Sequence, residues 1–149
     1  MRHLNLGYYL LCFSPLLSAN VYYLVSALVR SDDWLLPIVA STITHTVIIA
    51  VQVCGLTLYL MGYKKKEMEA KKLPFLKLFT ILLILWGFLV SWFAIGFYYV
   101  DVIPWSMEYG VRKLTVWDHL MFATWALKGI LWIASGLVFT ITSYIFKRP

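Results

Sequence analysis

Lys128 stands in the run Trp125-Ala126-Leu127-Lys128-Gly129-Ile130, deep inside an apolar stretch. A lysine at such a position costs on the order of 3 kcal/mol when carried into hydrocarbon, so something must compensate it. No carboxylate lies at the same depth in any apolar stretch, and Asp118 is ~15 Å away along the helix. The compensating group is therefore a carboxylate of another chain, a bound anion or lipid headgroup, a carbonyl, or none, the amine then being neutral. The competing reading is a lysine that reaches a water-filled crevice or an interface through helix tilt.

His45 lies at the same depth in Ser41-Thr42-Ile43-Thr44-His45-Thr46. Ser41, Thr42, His45 and Gln52 share one helical face and must turn toward protein. The plain reading of His45 is a hydrogen bond between helices; the chemical readings are a haem or metal ligand or a proton relay. Asn20 and Ser91 fall near the same level, so Asn20, His45, Ser91 and Lys128 form either packing glue or a binding layer. Gly87-xxx-Ser91 gives its helix a small face that permits close approach.

The second candidate is Asp118-His119, with Trp105, Trp117, Asp101, Glu108 and Tyr109 nearby. A histidine beside acids and aromatics suits a quinone headgroup or a metal ion, although Asp118 also has a capping role. His45 and His119 are the cofactor-binding candidates, but a haem between them is disfavoured: His119 lies ~14 Å outward of His45. No HxxxH, HExxH, glycine-rich phosphate loop or Ser/His/Asp set is present, so no catalytic residue and no metal site is assigned. Cys12 and Cys54 lie in apolar stretches without a CxxC and read as small buried hydrophobes.

These residues are positioned by an unusually apolar chain. Of 149 residues 62% are hydrophobic and 13% charged, and mean hydropathy is +0.79. Soluble domains are roughly half apolar and a quarter charged, so a soluble globule is excluded. The composition predicts an all-α integral membrane protein: a single domain of four transmembrane helices in an up-down bundle. The spans are Gly7–Val29, Trp34–Tyr63, Phe75–Val100 and Val116–Phe146, each long enough at 1.5 Å per residue. The second and fourth exceed a perpendicular crossing and are expected to tilt or project. Arg2 before an apolar run and Ser18-Ala19-Asn20 after it outline a signal peptide; the stretch is read as a retained first span.

Nine of the 13 Lys and Arg fall on one side: Arg2, the five of the Lys64–Lys72 linker, Lys77, Lys147 and Arg148. Arg30, Arg112 and Lys113 fall on the other. The positive-inside rule then sets both termini and the linker in the cytoplasm, in a membrane of prokaryotic type. Basic residues at segment ends argue against nucleic acid as a partner, while the linker suits anionic lipid. Ser31-Asp32-Asp33 is expected to cap the second span, with Pro37 in its first turn, and Thr115-x-x-Asp118 the fourth. Tyrosines and tryptophans crowd the span ends as interfacial belts.

An offset of 83 pairs Trp34 with Trp117, Ala40 with Ala123, and Lys64-Lys65 with Lys147-Arg148; an offset of 76 pairs Tyr22-Tyr23 with Tyr98-Tyr99. This pattern is what a weak two-helix duplication of the parallel kind would leave; the competing reading is chance, because belts and basic ends recur in any four-helix chain of even topology. With little mass outside the bilayer and a lysine lacking a partner, the chain is expected to be an accessory subunit of a larger membrane complex. A respiratory or other oxidoreductase assembly is the expected host. Its partners would be larger membrane subunits and lipid; it would bind no cofactor alone, with quinone or haem held at a subunit interface. The alternatives are a small transporter or channel and a four-helix lipid- or thiol-handling enzyme.

Overall fold

The computed structural model describes residues 2–28, 35–102 and 116–145. The described chain is all-helical: α1 (His3–Leu28), α2 (Leu35–Lys64), α3 (Leu76–Gly96) and α4 (Val116–Thr140). Helix α3 runs on into a π-helical segment, Phe97–Val102, and α4 into Ile141–Ile145. The helices fall on the four apolar stretches of the sequence. Among the described residues three are long and apolar enough to cross a membrane: Leu36–Lys64, Leu76–Tyr99 and Val116–Tyr144. The described part of α1 is diluted by Asn5, Tyr8, Tyr9, Ser14, Ser18 and Asn20. The Ser31-Asp32-Asp33 cap, Thr115, Trp105, Glu108, Tyr109 and the outer-side Arg30, Arg112 and Lys113 lie outside the described residues, as do Lys147 and Arg148.

Helix α1 packs on α2 and α3 on α4, and the two pairs meet along α2 and α4. Glycines permit the close approach within each pair. A Cβ on Gly7 of α1 would lie 2.5 Å from the Gly55 carbonyl oxygen of α2. One on Gly87 of α3 would lie 2.5 Å from the Gly129 carbonyl oxygen of α4, and Ser91 sits against the same Gly129. The small face read at Gly87-xxx-Ser91 is this contact.

The core is densest at the basic end of the bundle. Tyr59 of α2 and Tyr8 of α1 meet Phe139 of α4 at ring centroid distances of 4.9 and 5.2 Å. Phe79 of α3 closes on Tyr8 and Phe13 at 6.2 and 6.4 Å. Farther along, α1 and α3 part, and the space between them is a groove. Around the bundle the order is therefore α1, α2, α4, α3. A two-fold axis along the bundle would set α1 diagonally opposite α3, and this order has no such axis. The offset of 83 instead reports two parallel helices lying in register: it separates Tyr59 from Thr142, whose hydroxyls bond at 2.7 Å, and His45 from Lys128.

The basic linker is folded onto the bundle. Lys66 adopts φ 54°, with Glu67 N–H donating to Gly62 O at 3.2 Å and Lys66 N–H to Tyr63 O at 3.1 Å. This is a Schellman ending for α2, with lysine where glycine is usual. It delivers Glu67 to the start of α1, where the carboxylate accepts from Leu4 N–H at 3.0 Å and meets His3 Nδ1 at 2.7 Å. Arg2 donates to the Glu67 carbonyl at 2.9 Å, and Tyr8 O–H to the Pro74 carbonyl at 2.6 Å. A cap for the first turn of α1 thus comes from a residue far along the chain. The Leu4 N–H and then His3 hold the Glu67 carboxyl below the usual carboxylate range.

Candidate functional site

Pro15 is the local origin of the site. A proline inside a helix has no N–H, so the carbonyl four residues earlier loses its partner. In α1 that carbonyl belongs to Leu11, and Ser14 Oγ donates to it at 2.8 Å. Trp132 of α4 in turn donates Nε1–H to Ser14 Oγ at 2.7 Å. Ser14 and Trp132 are both essentially buried. The gap in the helix ladder has become a tie between α1 and α4.

One turn farther on, Ser18 faces Lys128. The Lys128 ammonium donates to Ser18 Oγ at 3.1 Å and lies 3.0 Å from His45 Nδ1. An ammonium can only donate, so Nδ1 accepts and the imidazole proton sits on Nε2. That N–H points at Ser41 Oγ, 3.2 Å away. The Lys128 Nζ also sits 5.7 Å above the Trp132 ring, where the π face favours a cation. His45 lies parallel to Trp125 with centroids 6.2 Å apart. Both Lys128 and His45 are buried.

Three of the four helices thus supply polar atoms to one cluster: Ser18, Ser41 with His45, and Lys128. The cluster opens on a cavity of about 590 Å³ walled mainly by Trp86, Leu89, Phe93, Phe97, Trp125 and Trp132. A second cavity of about 380 Å³ lies toward the basic end and shares Pro15, Trp86 and Leu89 with the first. Volumes of this size are those of small-molecule pockets. An apolar space with a few converging donors can hold and orient a molecule that is apolar along its body and accepts hydrogen bonds at one end.

No protein-family model matches the chain, and neither a curated protein nor a solved structure does.

Of the residues singled out in the sequence, Lys128 and His45 meet directly. Gln52 is fully buried below them and donates Nε2–H to the Lys128 carbonyl at 2.8 Å; its Oε1 has no partner among the described residues. Thr42 turns back onto its own helix, to Ile38 O at 2.9 Å. Asn20 is exposed and does not join the layer; Ser18, one half-turn earlier, takes that place. Ser91 donates to Ala126 O at 3.3 Å and serves the α3–α4 contact.

At the far end, Asp118 is buried in the first turn of α4, Trp117 is exposed, and His119 Nδ1 bonds the Tyr98 hydroxyl. This group is a full two turns from Lys128 and is separate from the cluster. Among the described residues no three His, Cys, Asp or Glu are placed to hold a metal ion. Sequence reading missed Ser14, Pro15, Ser18 and Trp132. Ser14 and Ser18 do stand one helical turn apart around a proline, which is the pattern that signals a repaired ladder with a polar edge.

Proposed function

We propose that the chain is an integral membrane protein of four spans, with both termini and the Lys-rich linker in the cytoplasm. Its role on this reading is to bind a small lipid-dissolved molecule in the crevice between α1 and α3. The observation that carries it is the cavity of about 590 Å³ that reaches the bonded Lys128–His45 pair. The positive-inside distribution of Lys and Arg and three helices of crossing length support the membrane placement. A prokaryotic cytoplasmic membrane suits the same charge pattern.

The accessory-subunit role in an oxidoreductase complex is the second reading. The apolar face of α3 favours it: Leu85, Phe88 and Trp92 are 61, 60 and 78% exposed and offer a surface to a larger subunit. Ser18 and His45 bond Lys128 within the chain but are neutral, so its charge calls for an anion that either a ligand or a partner subunit could bring. Quinone or haem at a subunit interface, through His119 and Trp117, belongs to this second reading, as does anionic lipid at the linker.

Extraction from native membrane in gentle detergent, followed by native electrophoresis and mass spectrometry, tests both. Migration at the mass of the chain or a small oligomer, with a lipophile released on organic extraction, supports the first. Comigration with larger subunits supports the second. Recovery in the aqueous fraction without detergent overturns both.

A further inference from the structure

We propose that the crevice takes a single-chain carboxylic acid, its carboxylate at Lys128 and its chain in the groove between α1 and α3. This rests on the reading of the crevice as a binding site and names its ligand class.

The donor inventory points to the head. An ammonium has three N–H groups, and Lys128 uses two, on Ser18 Oγ and His45 Nδ1. Ser18 Oγ accepts from Lys128, and Ser41 Oγ accepts from His45 Nε2–H, so the hydroxyl hydrogens of both serines remain to be donated. Ser18, Ser41 and Lys128 all line the same cavity. Three donors converge, one of them cationic. The ion pairs among the described residues are His3–Glu67 and Lys72–Glu69, so no described carboxylate neutralises Lys128. A carboxylate accepts several hydrogen bonds and brings the missing negative charge. A neutral quinone carbonyl supplies the acceptor without the charge.

The second cavity points to the chain. It continues from the first past Pro15, Trp86 and Leu89, is lined by residues such as Cys12, Phe13 and Leu82, and contains no charged side chain. Phe79 against Tyr8 and Phe13 closes it at the basic end. From Trp86 to Phe79 is ~10 Å along α3, the reach of an alkyl segment. In a bilayer the chain gains little by moving from lipid to groove, because both are apolar. Selectivity must come from the head.

The test uses the full-length protein in phosphatidylcholine nanodiscs, with tryptophan fluorescence read during titration by bromine-labelled stearate. Trp86, Trp125 and Trp132 line the cavity and report entry by quenching. At neutral pH saturable quenching is expected, displaced by oleate at least tenfold better than by methyl oleate. Lys128→Met should weaken the acid roughly tenfold to hundredfold, the effect of losing one charged hydrogen bond, and Lys128→Arg should restore most of it. If Lys128→Met does not fold, the acid-to-ester ratio in the unaltered protein still decides. Displacement by the ester, or by decylubiquinone, as strong as by oleate overturns the carboxylate and leaves the crevice reading intact. Quenching no greater than that given by brominated phosphatidylcholine, with no saturation, overturns both.

Discussion

Replacing Ser14 by Ala should remove two hydrogen bonds at once, and the proline beside it makes the loss measurable. The Ser14 hydroxyl donates to Leu11 O and accepts from Trp132 Nε1–H, at 2.8 and 2.7 Å, with Ser14 1% and Trp132 1% exposed. No water reaches either group to take over. Side-chain hydrogen bonds in lipid average ~0.6 kcal/mol and reach ~1.7, so two together are worth about 1–3 kcal/mol. The decisive comparison is with Pro15→Ala, which restores an N–H for Leu11 O. In that background Ser14→Ala should cost only the Trp132 bond, about 0.6–1.7 kcal/mol. Unfolding in mixed micelles with increasing denaturing detergent, followed by tryptophan fluorescence, gives all four corners of the cycle. An equal cost of Ser14→Ala in both backgrounds, within about 0.3 kcal/mol, refutes the repair of the ladder by Ser14.

Gly87→Ala puts a methyl 2.5 Å from the Gly129 carbonyl oxygen and 2.8 Å from Ile133 N; it should cost about 1–3 kcal/mol in the same unfolding assay, and a neutral result would mean α3 and α4 are not held this close. Gln52→Leu should be within about 1 kcal/mol of neutral despite complete burial, because it also removes the unpartnered Oε1; a loss of several kcal/mol would show that Oε1 has a partner. Glu67 contributes stability above the ordinary carboxylate range and loses it as pH falls through its lowered folded value. Glu67→Gln should therefore flatten the acid limb of thermal unfolding against pH and speed amide exchange at Leu4; an unchanged acid limb would remove the capping role.

The fold was legible to the extent that it follows from one-dimensional signals. Apolar length places the helices, and the small residues Gly87 and Ser91 mark a contact that exists. Depth was legible too: His45 and Lys128 stand at one level in stretches of equal phase, and they meet. Rotation about each helix axis was not. Asn20 and Ser18 differ by a half-turn, and only packing of α1 against α4 decides that Ser18 turns inward. Ser41, Thr42, His45 and Gln52 read as one polar stripe, yet Thr42, like Thr44 and Thr46 beside it in the run Ser41 to Thr46, bonds the carbonyl four residues back. Their hydroxyls are satisfied without any neighbour, which leaves Ser41 and His45 as the residues of that run that reach outward.

Helix order was the other hidden quantity. Even topology and recurring belts suggest a repeat, but the contacts that set the order are between side chains far apart in sequence, such as Phe79 with Phe13 and Trp132 with Ser14. That order is also what makes the site. With α2 and α4 packed in parallel register, His45 and Lys128 face each other; with α1 and α3 held apart beyond Phe79, their shared side stays open. Lipid would fill such an opening at no energetic gain, whereas the donors at its end remain unsatisfied by hydrocarbon. On the proposed reading, the polar end of the crevice, not its apolar walls, would therefore decide what occupies it.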